Sequence, residues 1–326
     1  MATYITRTAG VYGGLITKKL EDTVGYAGEL GIRPMSFYYY DDKEESDAQL
    51  SSRLDGVLAG FSYGDNFILQ LPALMSIRYL NTLFNKLDPF RQHSSSKLII
   101  YMHDDLLFDG SLASDSPMLP LINRADVLIV NSPQTARLLK NQGITKPHLL
   151  FFRICDFHSA PYKPMPWQHS LSLLSYRQEI VNQLTGIDNV SLNIFDSQAP
   201  QSSQYQIQKL GPVDDELSYQ LSQSGSIGVI WPSLAQEAYC TAYQLGIFLS
   251  SGLPIATKEG TIEAQWVADY GIGIVGRSLG DIVSKINELS AEDYERFCSR
   301  VKKLGALTRE GGFTKHAMLE AIKKEG

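Results

Sequence analysis

Two polar residues follow an apolar run in the first half of the chain, at the point where a strand is predicted to end. The run Lys97–Met102 is typical of a buried strand, and His103 and Asp104 come directly after it. A histidine beside a carboxylate at such a position can polarise a hydroxyl group or hold a sugar. The same pair can instead be a capping cluster that closes the strand. Asp104 and Asp105 lack the spacing of a metal-binding Asp-x-Asp pair, so no metal is predicted there.

A glycine-rich loop follows the first predicted strand, Thr3–Thr6. The loop contains Thr8, Ala9 and Gly10 and continues to Gly14, where a helix is predicted to start. Glycines let a backbone approach a ligand closely, and the first N–H groups of a helix attract anions. The loop therefore either lines a ligand site or is a plain tight turn. It does not match G-x-G-x-x-G, so NAD binding is not predicted.

The segment from Ile227 to Gly260 is the richest in candidate chemistry. A predicted helix opens near Tyr239 and Thr241, after a buried strand and a loop. The start of a helix offers unpaired N–H groups and the positive end of its dipole to a phosphate. The next predicted strand is followed, at the same edge of the sheet, by three further residues: Lys258, Glu259 and Gly260.

Two other side chains stand just after predicted strands in the second half of the chain. Trp231 follows the strand Ile227–Ile230, and its ring can stack on a base or a sugar or can belong to the core. Arg177 follows the strand Ser170–Leu174 and can reach a pyrophosphate or can be a surface arginine of a helix. Both alternatives stay open at this point.

The elements that position these residues alternate between short apolar runs and helical segments in both halves of the chain. This alternation is typical of a parallel sheet with helices on both faces, which is an α/β fold. Among these elements we predict a helix Ile77–Leu87 and a strand Val127–Val130, followed by a helix that Asn131-Ser132-Pro133 caps and Gly143 ends. A segment rich in proline and aromatic residues, Phe157–Gln168, separates the halves and is predicted to be an extended linker. We expect two Rossmann-like domains that face each other across a cleft. The predicted bounds are 1–160, 161–310 and, for a final helix that packs back on the first domain, 311–326.

Composition excludes several classes of protein. The chain has 326 residues, 44% of them hydrophobic, which is enough for a core in each of two domains. The net charge of −6 gives no pervasive basic field, so nucleic-acid binding is not expected. The three cysteines lie far apart, which favours a reducing compartment. We see no signal-peptide pattern and no long apolar run, so we expect a cytoplasmic protein without stable membrane insertion. Neither a Walker loop nor a G-x-S-x-G elbow occurs.

A set of short motifs, in order along the chain, resembles a known family. The run Tyr243-x-Leu245-Gly246-x-x-Leu249-x-x-Gly252-Leu253-Pro254-Ile255 resembles a helix-strand unit of glycosyltransferases with the GT-B architecture. The others are Tyr4-Ile5-Thr6, Arg53-Leu54-Asp55-Gly56, Gly64-Asp65, Gln70-x-Pro72, His103-Asp104, Asn123-x-Ala125-Asp126 and Phe313-Thr314. Together they are similar to the glucosyltransferases that extend O-linked GlcNAc on serine-rich repeat adhesins, a family that includes bacterial β-1,6-galactofuranosyltransferases.

The resemblance implies a metal-independent hexosyltransferase that uses a UDP-sugar and needs no cofactor. It implies that the C-terminal domain holds the donor and the N-terminal domain a saccharide or glycosylated-protein acceptor, in a protein that self-associates. His103 and Asp104 match the catalytic pair of the family. The residues that match its donor site are Thr8, Ala9, Gly10, Tyr239, Thr241, Tyr243, Gln244, Glu259 and Gly260, with Arg177, Trp231 and Lys258 as further candidates.

One departure from the family pattern opens an alternative. The family usually has lysine where this chain has Gln244, and a glutamine offers hydrogen bonds to a diphosphate but no charge. Arg177, Lys209 or Lys258 can supply that charge instead. Three readings follow from the sequence: transfer of glucose or GlcNAc to a GlcNAc-bearing glycoprotein, galactofuranosyl transfer, or a catalytically silent partner subunit. An NAD-dependent enzyme or epimerase is opposed by the missing dinucleotide fingerprint.

Overall fold

The computed structural model describes residues 1–11, 14–103, 116–184, 190–196, 199–202, 205–207, 215–232 and 242–323. The chain forms two compact units, Met1–Arg153 together with Phe313–Gly326, and Ile154–Gly312. Each unit contains one parallel sheet and helices, so both belong to the predicted α/β class. No described helix is both long and apolar enough to cross a lipid bilayer.

The first unit is built on a six-stranded parallel sheet in the order β2-β1-β3-β4-β5-β6. Its strands are β1 Thr3–Ala9, β2 Arg33–Tyr38, β3 Asn66–Leu71, β4 Leu98–Met102, β5 Val127–Val130 and β6 His148–Phe151. Its helices are α1 Gly14–Glu29, α2 Asp47–Val57, α3 Ile77–Gln92, α4 Met118–Ile122 and α5 Pro133–Asn141, with α12 Gly312–Lys323 at the end of the chain. The central strands β3, β4 and β5 are buried along their whole length, as expected of strands covered on both faces.

The second unit contains another six-stranded parallel sheet, in the order β12-β11-β10-β7-β8-β9. Its strands are β7 Ser170–Leu173, β8 Ser191–Ile194, β9 Gln206–Ile207, β10 Ser226–Ile230, β11 Ile255–Lys258 and β12 Gly273–Gly276. Its helices are α6 Gln178–Leu184, α7 Asp215–Ser222, α8 Ala242–Ser250, α9 Ile262–Tyr270, α10 Leu279–Asn287 and α11 Ala291–Arg309.

In each sheet the order of strands reverses once, between two neighbouring strands. The chain leaves β1 towards β2 on one side and then returns to place β3 on the other side of β1. In the second unit it proceeds from β7 to β8 and β9, and then places β10 on the other side of β7. Crossovers that leave in opposite directions open a crevice at the carboxyl ends of the two strands, where ligands of such sheets bind.

Helix ends follow the signals in the sequence. Ser132 precedes the first-turn proline Pro133, and its Oγ accepts a hydrogen bond from the Thr135 N–H at 3.1 Å. Gly143 follows the same helix with a φ of +98°, a conformation that glycine adopts without a steric penalty. The N-cap at Asn131–Pro133 and the terminating glycine were both predicted from the sequence, and both are confirmed.

The proline-rich segment is extended, as predicted, but several of its residues contact the second unit. It has neither helix nor strand between Phe157 and Gln168. The Phe157 ring is fully buried, and the Trp167 ring stacks on Tyr294 with centroids 5.0 Å apart. The Met165 N–H donates to the Ser222 carbonyl at 2.8 Å. The segment is therefore attached to the second unit by Phe157 and Trp167 near its two ends rather than being a free linker.

The last helix belongs to the first unit and is fixed by three polar contacts. The Tyr101 hydroxyl lies 3.2 Å from Thr314 Oγ1, and Lys97 Nζ donates to the Ile322 carbonyl at 3.0 Å. Lys315 pairs with a glutamate of α1 at 2.7 Å. One of these contacts is buried, so α12 is an integral layer of this unit.

Helix α8 approaches neighbouring backbone so closely that glycine is required at one of its positions. A Cβ added to Gly246 would lie 1.9 Å from the carbonyl oxygen of Cys155. Backbone cannot move away as a flexible side chain can, so any larger residue must displace the segment that enters the second unit. Gly246 belongs to the glycosyltransferase-like helix-strand motif, and its role there is packing.

We expect Gly246→Ala to lower the free energy of unfolding by about 3 kcal/mol, because the methyl group overpacks a rigid contact. Gly280→Ala in α10 is the matched control, since an added Cβ there meets only Ser278 Oγ at 3.8 Å. That control should be neutral or stabilising by about 0.5–1 kcal/mol. All three tryptophans lie in the second unit, so urea unfolding followed by tryptophan fluorescence reports on it. Equal midpoints for the two variants would contradict the close-contact explanation.

Candidate functional site

The reversal point of the first sheet brings together the loop after β1 and the ends of β2 and β3. Thr8 Oγ1 donates to the Ala73 carbonyl at 3.2 Å, and the Ala9 carbonyl accepts from the Tyr39 N–H at 2.8 Å. Gly10 follows with a φ of +89°, which favours glycine. Thr8 and Ala9, which were predicted to lie in a loop, are instead the last residues of β1, because the strand continues its pairing with β2 past Thr6. Gly10 follows the strand, so all three residues stand at the carboxyl edge of the sheet.

His103 lies at the same edge and is 2% exposed. Its backbone N–H donates to the Leu71 carbonyl of β3 at 2.9 Å, and its ring packs against Tyr101 with centroids 4.9 Å apart. The ring Nε2 lies 3.1 Å from Oε1 of Gln70, which is also 2% exposed. Asp104, the other half of the predicted pair, falls outside the described residues, as do Tyr239 and Thr241.

Gln70 is a polar residue of the site that the sequence argument did not single out as functional. It stands in β3, a strand that is buried along its whole length, where a side-chain amide requires hydrogen-bond partners. Its Nε2 donates to the carbonyls of Thr6 and Leu20, at 2.8 and 3.3 Å. One side chain thus connects β1, α1 and the end of β4. The signal available in the sequence was a glutamine in the middle of a buried run.

The reversal point of the second sheet holds a small cavity of about 70 Å³. The residues lining it are Leu173, Leu174, Ser175, Arg177, Ile180, Val229, Trp231 and Gln244. They come from the ends of β7 and β10, from α6 and its approach, and from the first turn of α8. Three residues predicted to be part of one site, Arg177, Trp231 and Gln244, are therefore brought together.

Among the residues that the structure describes, Arg177 is the one cation that lines this cavity. Its Nη1 donates to the Trp231 carbonyl at 2.6 Å, while Nε and Nη2 contact Glu179 Oε1 at 2.7 and 2.5 Å. The backbone N–H of Glu179, and after it the guanidinium, lower the pKa of this carboxyl group. The guanidinium is therefore held in a defined direction at the cavity, which a free surface arginine would not be.

The remaining predicted residues of the second unit divide into two groups. The Tyr243 ring is buried and packs edge-on against Phe157 at 5.8 Å, so it does not line the cavity. Lys258, Glu259 and Gly260 form the turn from β11 into α9, at the same edge of the sheet as the cavity. The Glu259 N–H donates to a β12 carbonyl at 2.8 Å, and Gly260 has a φ of +85°.

Glu263 is a second residue that the sequence argument missed. It is 1% exposed and stands in the first turn of α9, three residues after Gly260. An acidic side chain there complements the positive end of the helix dipole. Within the described ranges, no group of three or more His, Cys, Asp or Glu side chains has an arrangement that would hold a metal ion.

Two family models match the chain, one in each half. The Glucosyltransferase 3-like N-terminal domain matches residues 2–151, and the Glucosyltransferase 3-like C-terminal domain matches residues 172–321. The chain belongs to the Glucosyltransferase 3-like family. The family predicted from the ordered sequence motifs, and the assignment to glycosyltransferases, are confirmed.

Curated relatives of this Glucosyltransferase 3-like chain match over nearly its full length. Glucosyltransferase 3 of Streptococcus gordonii is 28% identical over 315 residues, which cover 92% of each chain. Glucosyltransferase 3 of Streptococcus parasanguinis is 24% identical over 331 residues, which cover 99% of this chain and 98% of the relative.

Solved structures share the fold. Anabaena Alr3699/HepE in complex with UDP-glucose has a TM-score of 0.64 at 12% sequence identity, and the match covers 99% of each chain. An alpha-glucosyltransferase in complex with UDP and DNA has a TM-score of 0.65 at 14% identity, with 99% of this chain and 100% of that one covered. The predicted GT-B fold class is thereby confirmed.

Proposed function

We propose that this glycosyltransferase moves a hexose, glucose or GlcNAc, from a UDP-sugar to a hydroxyl group of a GlcNAc-bearing acceptor on a serine-rich glycoprotein. The observation that carries the proposal is the cavity at the strand-order reversal of the second sheet, where Arg177, Trp231 and Gln244 converge. The names of the streptococcal relatives support glucose as the sugar, and the bound ligands of the solved structures support UDP as the carrier.

The cavity is proposed to receive one end of the donor. Ligand sites for molecules of this size usually measure about 300–1,000 Å³, so a 70 Å³ space accepts a phosphate or a ring edge rather than the whole nucleotide. Arg177 offers a charge and a planar set of donors to a diphosphate. Gln244 adds neutral hydrogen bonds, and the half-buried Trp231 offers a ring face.

The chemistry follows from where charge develops. The bond from the sugar C1 to the diphosphate oxygen breaks, and its electron pair leaves with UDP. A bond from C1 to the acceptor oxygen forms, and the proton of the acceptor hydroxyl is released to solvent. Positive charge grows on the sugar ring while negative charge grows on the leaving UDP, which Arg177 stabilises. We propose that this charge stabilisation comes from the protein without a metal ion. His103, with Asp104, is proposed to orient a hydroxyl group in the first unit.

Release of UDP tests the proposed reaction. We expect UDP to form when the protein is given UDP-glucose or UDP-GlcNAc together with a GlcNAc-bearing serine-rich peptide. Arg177→Met should lower the rate by about a hundredfold, because the leaving group loses a charged donor. UDP-galactofuranose with the same acceptor tests the galactofuranosyl alternative. Absence of turnover with all three donors, together with UDP binding that calorimetry cannot detect, would contradict the proposal and favour the silent partner.

A silent partner subunit is the second candidate because the cavity carries less positive charge than the family pattern implies. Gln244 stands where the resemblance implies a lysine, and Arg177, the one cation among the described lining residues, is already paired with Glu179. Both features weaken electrostatic attraction for a diphosphate.

Restoring the charge distinguishes weak donor binding from an absent donor site. We expect Gln244→Lys to lower the Kd for UDP by about tenfold, which corresponds to about 1.4 kcal/mol. Gln223→Lys adds the same charge in front of β10, at the opposite edge of the sheet, and should leave the Kd unchanged. Isothermal titration calorimetry measures both. An equal effect of the two substitutions would show that net charge, and not the cavity, determines affinity.

Two exposed tyrosines support an acceptor role for the first unit. Tyr38 is 70% exposed and Tyr39 is 58% exposed, and both stand at the carboxyl end of β2 beside Gly10. Aromatic rings present an apolar face with a polar tip, which suits the C–H face and hydroxyl groups of a pyranose. We propose that they form a platform for the acceptor saccharide.

Removing both rings should weaken acceptor binding and leave donor binding intact. We expect the double variant Tyr38→Ala and Tyr39→Ala to raise the KM for the GlcNAc-bearing acceptor by about tenfold, with an unchanged KM for the donor. Tyr63→Ala is the matched control, because Tyr63 is 62% exposed but stands before β3, at the opposite edge. A rise in acceptor KM for the control, or none for the double variant, would place the acceptor elsewhere.

A further inference from the structure

The side-chain amide of Gln70 has only one orientation that satisfies its surroundings. Two carbonyl oxygens, those of Thr6 and Leu20, lie within hydrogen-bond distance of the atom assigned as Nε2. If the amide were reversed, its oxygen would face both carbonyls at 2.8 and 3.3 Å in a buried environment, where acceptor–acceptor contacts are costly. The backbone N–H of Gln70 donates to Thr6 Oγ1 at 2.9 Å, which anchors the residue independently.

This orientation determines which ring nitrogen of His103 carries a proton. With its nitrogen committed to the two carbonyls, Gln70 presents Oε1 to His103 Nε2 at 3.1 Å. A carbonyl oxygen can only accept, so Nε2 must be the donor. In a neutral imidazole that has its proton on Nε2, Nδ1 is the acceptor.

We propose that Gln70 is a positioning residue that holds His103 in the Nε2–H tautomer, so that Nδ1 is the atom through which the imidazole accepts a hydrogen bond at the carboxyl edge of the first sheet. Resting on the proposed function, the inference makes Nδ1 the nitrogen through which His103 influences sugar transfer. An Nδ1–H tautomer would instead make that nitrogen a hydrogen-bond donor. Gln70 itself touches no substrate and acts through His103.

The tautomer can be measured without any substrate. Long-range ¹H–¹⁵N correlation spectra of protein with ¹⁵N-labelled histidine separate the two tautomers, and His103→Asn assigns the resonances. We expect a pure Nε2–H form in the wild type. Gln70→Met, which keeps the length and removes the acceptor, should give a mixture of tautomers or an increased Nδ1–H fraction.

A matched control separates this effect from the general loss of a buried amide. Asn66 is fully buried at the other end of β3, where its Oδ1 accepts from the Lys97 N–H at 3.1 Å. Asn66→Leu should therefore leave the His103 resonances unchanged, whatever it does to stability. An Nδ1–H tautomer in the wild type, or a pure Nε2–H form in Gln70→Met, would overturn the proposal.

Kinetics test whether Nδ1 is the nitrogen that matters. The side-chain amide of asparagine can place an oxygen near the position of Nδ1, whereas that of glutamine reaches the position of Nε2. We expect His103→Asn to retain about tenfold more activity than His103→Gln. Gln70→Met should lower kcat by about tenfold with an unchanged Kd for UDP, because the donor site is in the second unit.

The two parts of the experiment fail independently. If the wild type shows the Nε2–H tautomer but no UDP-sugar is turned over, the proposed function is wrong and the role of Gln70 in fixing the tautomer stands. If turnover occurs and His103→Gln is as active as His103→Asn, the role assigned to Nδ1 is wrong and the transferase function stands.

Discussion

The structure depends on one constraint, which is that parallel strands covered on both faces leave polar groups accessible only at their ends. The central strands of the first sheet are buried over their full length, and so are β7 and β10 in the second. Chemistry is thereby confined to the edges of each sheet. The reversal of strand order then selects one position along the carboxyl edge, because only there do two crossovers diverge. Each unit has one such point. Of the residues predicted from the sequence, Thr8 and His103 lie at the first point, and Arg177, Trp231 and Gln244 line the cavity at the second.

The two points differ in the kind of interaction they offer. In the first unit the buried groups arranged around Gln70 are its amide, an imidazole and backbone carbonyl groups. In the second unit the cavity is lined by a guanidinium whose direction is fixed by Trp231 and Glu179. Hydrogen-bonding groups in defined orientations suit a hydroxyl group, which both donates and accepts. A fixed cation suits a leaving diphosphate, whose charge increases as the bond breaks.

The periodicity of apolar residues predicts most of the helices and strands, but it predicts fewer of the residues at the candidate site. The strand Val127–Val130 was predicted with its observed bounds, because its aliphatic run ends at a cap signal. Helix α3 was predicted to end at Leu87, but it continues through Pro89 to Gln92. Beyond the proline, Phe90 packs edge-on against Phe61 at 5.1 Å, and such burial offsets the lost hydrogen bond. Contacts between residues so far apart in the chain cannot be predicted from the sequence around Pro89.

Site residues on loops after strands were predictable because the topology fixes where those loops lie. Gln70 and Glu263 were not, since each stands inside a regular element whose pattern is apolar or amphipathic. A buried polar side chain in such a position is informative only when its partners are known. Tyr243 is the opposite case. Its position near the start of a helix predicts a ligand contact, but its ring packs against Phe157.

Glutamine at position 244, where the resemblance implies a lysine, is compatible with the proposed donor binding because of the contacts that the guanidinium of Arg177 makes. Its contacts with the Trp231 carbonyl and with Glu179 engage one N–H each on Nε, Nη1 and Nη2. A guanidinium has five N–H donors, so within the described part of the chain two are not committed to protein groups. A diphosphate can therefore bind Arg177 without displacing either partner. Since Glu179 is exposed, its opposing charge is screened by solvent, while the bond to the buried edge of the sheet keeps the guanidinium in place.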